Sequence, residues 1–328
     1  GFISQVQTES HGAIAGDLFI DCTGFRGLLI NQALEEPFIS FNDVLLCDRA
    51  VTINMPSNNE VDGVPPFTTA TALSSGWCWQ VPLYGRTGNG YVYCSNYISD
   101  EAAEAELRQH LGPAAADLPA RYLKMRVGRT RHSWVKNCVS IGLSSGFMEP
   151  LEATGIFLIE MGLDYLVKNF PDKNFSPAFI NNYNQIMQYH YEEVRDFIAL
   201  HYCLNRRFDT PFWQANQYQN HPALPTTLQA RLERARVRLP NDQDFLYRGH
   251  LQNVLAYSYT NIFTGMDYLP QGDLPLMDYR SDVEIDQIFT TIEAEIDTLS
   301  QRLPDHYEYL SKLHAYEPLW AALRQDLN

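Results

Sequence analysis

N-C-V-S-I-G-L-S-S-G-F-M-E-P-L-E-A-T-G-I, Asn137 to Ile156, is the stretch on which the fold turns. Cys138 to Gly142 is a short β run, and Ser144 to Gly155 follows as a loop punctuated by glycine and proline. Ile156 to Phe170 then carries apolar residues at helical spacing until Pro171 stops it. Thr154 and Gly155 therefore sit where a helix begins, and the first turn of a helix presents unpaired N–H groups with a partial positive charge. An anion can bind there. Gly155 has no Cβ, which lets a flat ring or a small anion approach closely. Glu152 sets a carboxylate beside the same point, a costly neighbour for an anion unless it serves a purpose or is protonated. On residue type alone, Thr154 reads more readily as a helix cap and Glu152 as an exposed loop acid, since caps are commonplace.

Upstream, residues 1–21 read as two β segments around a turn at Glu9 to Gly12, the second being Asp17 to Asp21. D-C-T-G-F-R, Asp21 to Arg26, puts a tight turn at the carboxyl end of that strand, where open α/β sheets bind cofactors. From Trp77 to Tyr97 the alternation predicts a hairpin whose turn is Asn89-Gly90. Trp77 and Trp79, two apart, point to one face. The glycines here are turn residues: no G-x-G-x-x-G dinucleotide fingerprint occurs in the chain. Glu101 to Leu111 reads as an amphipathic helix closed by Gly112-Pro113. Beyond about Pro177 the pattern is helical and aromatic, in Tyr183 to Cys203, Leu228 to Arg238 and Val283 to Leu303. The expected fold class is thus α/β (α+β), with a mixed part over 1–180 and a mainly helical part over 181–328.

Composition narrows the function. A chain of 328 residues with 45% hydrophobic content can bury a large core, which excludes a disordered, collagen-like or small disulfide-stapled protein. Lys and Arg number 24 against 39 Asp and Glu, and the net charge of −15 repels nucleic acid and the anionic face of a membrane. The six cysteines form no C-x-x-C pair, which argues against a zinc knuckle and suits a reducing cytoplasm. No apolar run is long enough to span a bilayer and no export leader opens the chain, so a cytoplasmic protein without membrane contact is expected. His190 with Glu193, and His314 with Glu317, have metal-ligand spacing but no third ligand nearby, so no metal is expected. The chain opens at Gly1 on residues that already alternate like a strand, from which a preceding N-terminal part is expected.

Several of these motifs together resemble the flavin-dependent halogenases of the tryptophan halogenase family. They are G-D-L-F-I-D-C-T-G-F-R (Gly16 to Arg26), W-C-W-Q-V-P (Trp77 to Pro82) and the Asn137 to Ile156 stretch. Y-E-E-V-R-D-F-I-A-L-H-Y (Tyr191 to Tyr202) and D-T-P-F-W (Asp209 to Trp213) continue the match in the same order. The resemblance implies an FAD-binding fold like that of the flavoprotein monooxygenases, with a helical substrate region. It also implies reduced FAD supplied by a separate flavin reductase. Oxygen then gives a flavin hydroperoxide, which chloride or bromide attacks to form hypohalous acid; that acid passes along a tunnel to an electron-rich aromatic substrate.

Residue by residue, the resemblance makes Glu152 the family's catalytic glutamate and places halide at Thr154 and Gly155. It assigns flavin contacts to Asp21, Thr23 and Gly24, with Gly142, Gly155 and Ile156. Trp77, Trp79 and Pro82 become a wall that keeps substrate from the flavin. Departures also matter. The family's lysine and its glycine-rich fingerprint have no counterpart here, so this chain alone is expected to be inactive, and Ala153 stands where a serine is usual. The text before Tyr257 to Met266 lacks the glutamate and Phe-Trp pair of tryptophan-specific members. The expected substrate is therefore an indole, phenol or pyrrole other than free tryptophan, with Phe245, Tyr247, Tyr257 and Tyr259 as candidate pocket aromatics. The competing expectation is a flavin-dependent aromatic monooxygenase that does not halogenate, or a flavin-binding fragment without activity.

Overall fold

The computed structural model describes residues 1–240, 250–272 and 282–315. Strands β1 (Gln5–Thr8) and β2 (Gly12–Ala15) form an antiparallel hairpin, and β3 (Phe19–Asp21) follows separately. The first hairpin thus closes on Gly12–Ala15, whereas Asp17 to Asp21 leaves it to pair elsewhere. After a turn at Gly24–Arg26 and a helical turn at Leu28–Ala33 come β4 (Phe38–Ser40), β5 (Arg49–Pro56) and the short α1 (Asn59–Asp62). Then come β6 (Thr69–Leu73), β7 (Gly76–Leu83), β8 (Arg86–Tyr93), α2 (Asp100–Leu111) and β9 (Ala120–Lys124).

Four small strands complete the mixed part: β10 (Gly128–Thr130), β11 (Trp134–Val135), β12 (Cys138–Ser140) and β13 (Gly146–Phe147). Helices α3 (Thr154–Lys168), α4 (Pro177–Cys203), α5 (Pro211–Asn216), α6 (Thr226–Ala235), α7 (His250–Gly265), α8 (Asp282–Arg302) and α9 (His306–Ala315) follow. The fold is mixed α/β with a helical C-terminal part.

A five-stranded antiparallel sheet, ordered β6-β7-β8-β5-β9, is buried on both faces. Strand alternation sends Val51, Ile53, Cys78, Tyr91 and Tyr93 to one side, where Ala103 and Leu107 of α2 cover them. Ala50, Trp77 and Val92 face the other side and join the main core. That core crosses residue 180, since Met148, Leu158 and Leu166 pack with Tyr183, Met187, Phe197, Tyr259 and Phe263 in one cluster.

The Trp77 to Tyr97 segment is a hairpin, but its turn is Tyr84-Gly85, with Leu83 paired to Arg86. Gly85 takes a positive φ of 79° there. Asn89 and Gly90 instead lie inside β8, opposite Gln80 and Trp79. Gly90 is required by packing: a Cβ would stand 2.1 Å from the Trp79 ring. A tertiary contact thus overrides the turn propensity of an Asn-Gly pair.

β3 runs parallel to β12, with Asp21 opposite Ser140. Both strands end at the same edge, and the Ile141 N–H donates to the Asp21 carbonyl at 3.1 Å. That pairing brings the turn after Asp21 beside the loop that enters α3.

Candidate functional site

At the carboxyl ends of β3 and β12 the Asp21 side chain is fully buried and fully used. Its Oδ1 accepts from the Thr23 N–H and hydroxyl at 2.9 and 2.6 Å. Its Oδ2 accepts from the Leu29 and Ile30 N–H groups at 2.9 and 2.8 Å. The Asp21 carboxylate therefore shapes the turn, with both oxygens engaged by the chain itself. Thr23 is exposed and Gly24 half-buried, with φ of 71° at Gly24.

Gly142, with φ of 73°, opens the turn Gly142–Ser144. The Ser144 hydroxyl donates back to the Asp21 carbonyl, tying that turn to the first one. Phe25 meets Phe147 edge to face at 5.4 Å across the same seam.

The loop into α3 is sharply bent. Glu152 and Ala153 both adopt the left-handed region, with φ of 62° and 53°. Side chains other than glycine rarely sit there, and each such residue stores of order 1 kcal/mol or more of strain. The bend turns Glu152 off the helix axis and leaves the first turn of α3 open. Thr154 is buried, Ile156 is exposed, and a Cβ at Gly155 would meet nothing within 4 Å. Neither backbone conformation nor a neighbouring side chain requires glycine at 155, so its bare surface serves whatever enters from outside.

That open surface belongs to a cleft of about 760 Å³ lined by Trp77, Trp79, Phe147, Glu152, Gly155 and Ile156, among others. The two indoles lie 6.0 Å apart as a continuous wall. Pro82, on the opposite face of β7 by strand alternation, takes no part in it. A second cavity of about 390 Å³ shares Ala70, Trp77 and Leu151 with the first. Its other walls include His201, Tyr202, Arg207, Trp213 and Met266. Tyr202 stacks on Trp213 with centroids 5.8 Å apart.

Three residues on or behind these walls carried no assignment from sequence: His201 and Tyr202, which line the second cavity, and Glu149, which lies behind Trp77. His201 Nε2 stands 3.2 Å from Glu152 Oε1, and the hydrogen bond holds the Glu152 carboxyl below the usual carboxylate range despite partial burial. Glu149 is buried, accepts from the Trp77 indole N–H at 2.8 Å and from the Tyr202 hydroxyl, and is pushed up by burial to about 7. Both acids lie in the run E-P-L-E, Glu149 to Glu152, of the quoted stretch. Their partners come from β7 and α4 and leave no local sequence signal.

Of the candidate pocket aromatics, the two among the described residues do not line a common pocket. Tyr259 is fully buried, bonded to Arg231 at 2.7 Å, and belongs to the core rather than to a pocket. Tyr257 is exposed and lines neither cavity. Phe245 and Tyr247 lie outside the described residues. His190 and Glu193 part company: His190 sits among Phe157, Tyr165 and Tyr189, and Glu193 pairs with Arg231 at 3.1 Å. Among the described residues no group of three or more His, Cys, Asp or Glu could hold a metal ion. No described helix is long and apolar enough to cross a membrane.

The expected flavin positions fit this geometry in part. The Thr23-Gly24 turn, the Gly142 turn and the bare Gly155 edge all meet at the strand ends beside the larger cleft, whereas Asp21 acts from behind.

Known proteins resemble this chain in sequence and fold. The family model described as tryptophan halogenase matches residues 1–282. Tryptophan 6-halogenase SttH of Streptomyces toxytricini is 43% identical over 313 residues, which is 95% of this chain and 59% of that protein. Tryptophan 7-halogenase RebH of Lentzea aerocolonigenes is 37% identical over 328 residues, 96% of this chain and 61% of that protein. The crystal structure of SttH superposes with a TM-score of 0.87 over 94% of this chain and 60% of the other. BrvH, a flavin-dependent halogenase from Brevundimonas sp. BAL3, superposes with a TM-score of 0.81 at 36% identity, over 95% and 62%. The chain thus spans about 60% of the length of these relatives. On the family model and on this identity, the chain belongs to the tryptophan halogenase family.

Proposed function

We propose that this chain is the halide-handling and substrate-handling part of a flavin-dependent halogenase that chlorinates or brominates an electron-rich aromatic ring. The observation that carries the reading is Glu152. It stands on the wall of the larger cleft, two residues before the helix start at Thr154 and Gly155, and is bonded to a histidine that lines the second cavity.

Gly155, Trp77 and Trp79 would hold reduced FAD in the larger cleft, where it would supply the electrons with which oxygen takes halide to hypohalous acid. The chain's own residues then do the rest. N–H groups at the start of α3 hold the halide ion. Trp77, which lines both cavities, and Trp79 beside it keep the aromatic ring off the flavin. Glu152, kept ionised by His201, accepts a hydrogen bond from the hydroxyl of hypohalous acid, takes up the proton that the ring loses as the carbon–halogen bond forms, and returns it to the departing hydroxide, which leaves as water. Phe147 and Ile156 exclude water from the same cleft.

The smaller cavity supports a neutral ring as substrate rather than free tryptophan. Its walls are mainly apolar, and its cations are already engaged: Arg207 pairs with Asp209 at 2.5 Å, and Arg206 with Asp267 at 3.4 Å. An indole, phenol or pyrrole without charged ends meets these walls at no desolvation cost to a carboxylate. A separate flavin reductase is the partner this reading requires.

The test supplies the full-length protein with FAD, flavin reductase, NADH, oxygen and bromide, and offers a panel of indoles, phenols and pyrroles. Mass spectrometry reads the bromine isotope doublet. A doublet that depends on reductase and bromide and vanishes in Glu152→Gln supports the reading. An oxygen adduct in its place identifies a hydroxylase.

A further inference from the structure

Glu149 is a buried acid whose bonds run to an indole and a phenol. Its Oε2 accepts from Trp77 Nε1 at 2.8 Å and from the Tyr202 hydroxyl, and Oε1 has no hydrogen-bond partner. The Tyr202 hydroxyl also lies 3.6 Å from Cys47 Sγ. No lysine or arginine pairs with Glu149 among the described residues. Burying a carboxyl in this way costs free energy that an apolar residue of similar size would not. Trp77 is the ring that lines both cavities. Tyr202 is on α4, stacked on Trp213 at the back of the smaller one. Sequence separations of 72 and 53 residues are thus closed at a single oxygen.

We propose that Glu149 is a positioning residue that clamps the Trp77 indole to Tyr202 of α4 and so fixes the partition between the flavin-side cleft and the substrate-side cavity. Glu149 lines neither cavity and acts only through Trp77. The halide-handling residues are on the same loop: Glu152 is three residues on and turns its carboxyl toward His201, the neighbour of Tyr202. One loop therefore sets both the partition and the acid at its edge. Released from Glu149, the indole keeps its packing against Trp79 but loses the bond that fixes its tilt.

The groups facing Glu149 are few. Tyr202 and Trp77 donate to it, His201 acts on it through charge, and Cys47 reaches it through Tyr202. Burial raises its carboxyl to about 7, so the acceptor that holds Trp77 changes charge near neutral pH.

The effect on product rests on the halogenase reading, whereas the effect on the indole does not. The experiment uses the full-length protein labelled with [15N]tryptophan, the Trp77 indole resonance being assigned by its loss in Trp77→Phe. Expected in Glu149→Leu are a displaced indole resonance and a fall of about tenfold or more in brominated product per NADH consumed. Glu149→Gln, which keeps an acceptor for Trp77, holds both within about twofold of the parent. Trp77→Phe loses yield as Glu149→Leu does, and the double variant loses no more.

An unmoved resonance in Glu149→Leu overturns the proposal, and so does a moved resonance with unchanged yield. If Glu149→Leu does not fold, the parent protein decides: its Trp77 resonance titrates with a midpoint near 7 and is flat in Glu149→Gln, and a flat parent resonance overturns the clamp. A parent protein that makes no brominated product defeats the halogenase reading, and the clamp then stands or falls on the resonance.

Discussion

The His201 imidazole bridges α4 to Glu152: its Nδ1 lies 2.8 Å from the Phe197 carbonyl and its Nε2 lies 3.2 Å from Glu152 Oε1. A carbonyl oxygen only accepts, so Nδ1 carries a proton. Nε2 then faces the carboxylate, and the contact lowers the Glu152 carboxyl. Glu152 is thereby held ionised at the edge of the cleft, where a proton acceptor is needed.

Replacing Glu152 with Gln keeps size and polarity but removes the proton acceptor. Brominated product is expected to fall by about 100-fold or more, within the range for loss of a general acid–base group. FAD affinity, read by flavin fluorescence titration of the full-length protein, is expected to be unchanged.

His201→Ala removes the bond that lowers the Glu152 carboxyl. A carboxyl depressed in the folded protein contributes stability that is present above its unfolded value and lost as pH falls through the folded one. Without His201 the folded value rises, so the acid limb of the product–pH profile is expected to move to higher pH. A limb that stays in place would separate His201 from Glu152.

Glu149 has the opposite sign. Burial raises its carboxyl from 4.5 to about 7, so its neutral form suits the fold. Stability is fully present below the unfolded value and is lost as pH rises through the folded one. Compared with Glu149→Gln, the parent is expected to lose about 3 kcal/mol between about pH 4 and pH 8. Urea unfolding across that range reads the difference.

Gly90→Ala places a methyl 2.1 Å from the Trp79 ring. Overpacking of this kind costs about 1–3 kcal/mol. A lowered melting temperature is expected, with a changed Trp79 environment in near-ultraviolet circular dichroism.

Ala153→Gly relieves a side chain from the left-handed region, at φ of 53°. The variant is expected to be more stable by about 1 kcal/mol, because the folded state no longer carries the Cβ clash. Thermal unfolding of the paired proteins measures it.

Much of the architecture was legible from the chain itself. The helix over Glu101 to Leu111 is found at Asp100–Leu111, and the strand, loop and helix of Asn137 to Phe170 are found as β12, a bent loop and α3. Glu152, Thr154 and Gly155 are neighbours in sequence, so one local pattern located all three. The Asn89-Gly90 turn was misread because an Asn-Gly pair has the same propensity wherever it stands. Only the Trp79 ring across the ladder shows why glycine is needed inside a strand. Tyr259 is part of an aromatic helix in sequence, but its burial against Arg231 was settled by packing.

The sequence by itself determined the fold class, the strand, loop and helix from Cys138 to Phe170, and the loop that carries Glu152 to the start of a helix. Those properties depend on hydrophobic period and turn chemistry between residues close in the chain. Tertiary structure alone decided that Asp21 braces a turn, that His201 holds Glu152, and that Glu149 ties Trp77 to Tyr202. Hydrogen-bond partners 49, 53 and 72 residues apart are chosen by burial, which removes water and leaves each polar group the neighbours that packing supplies.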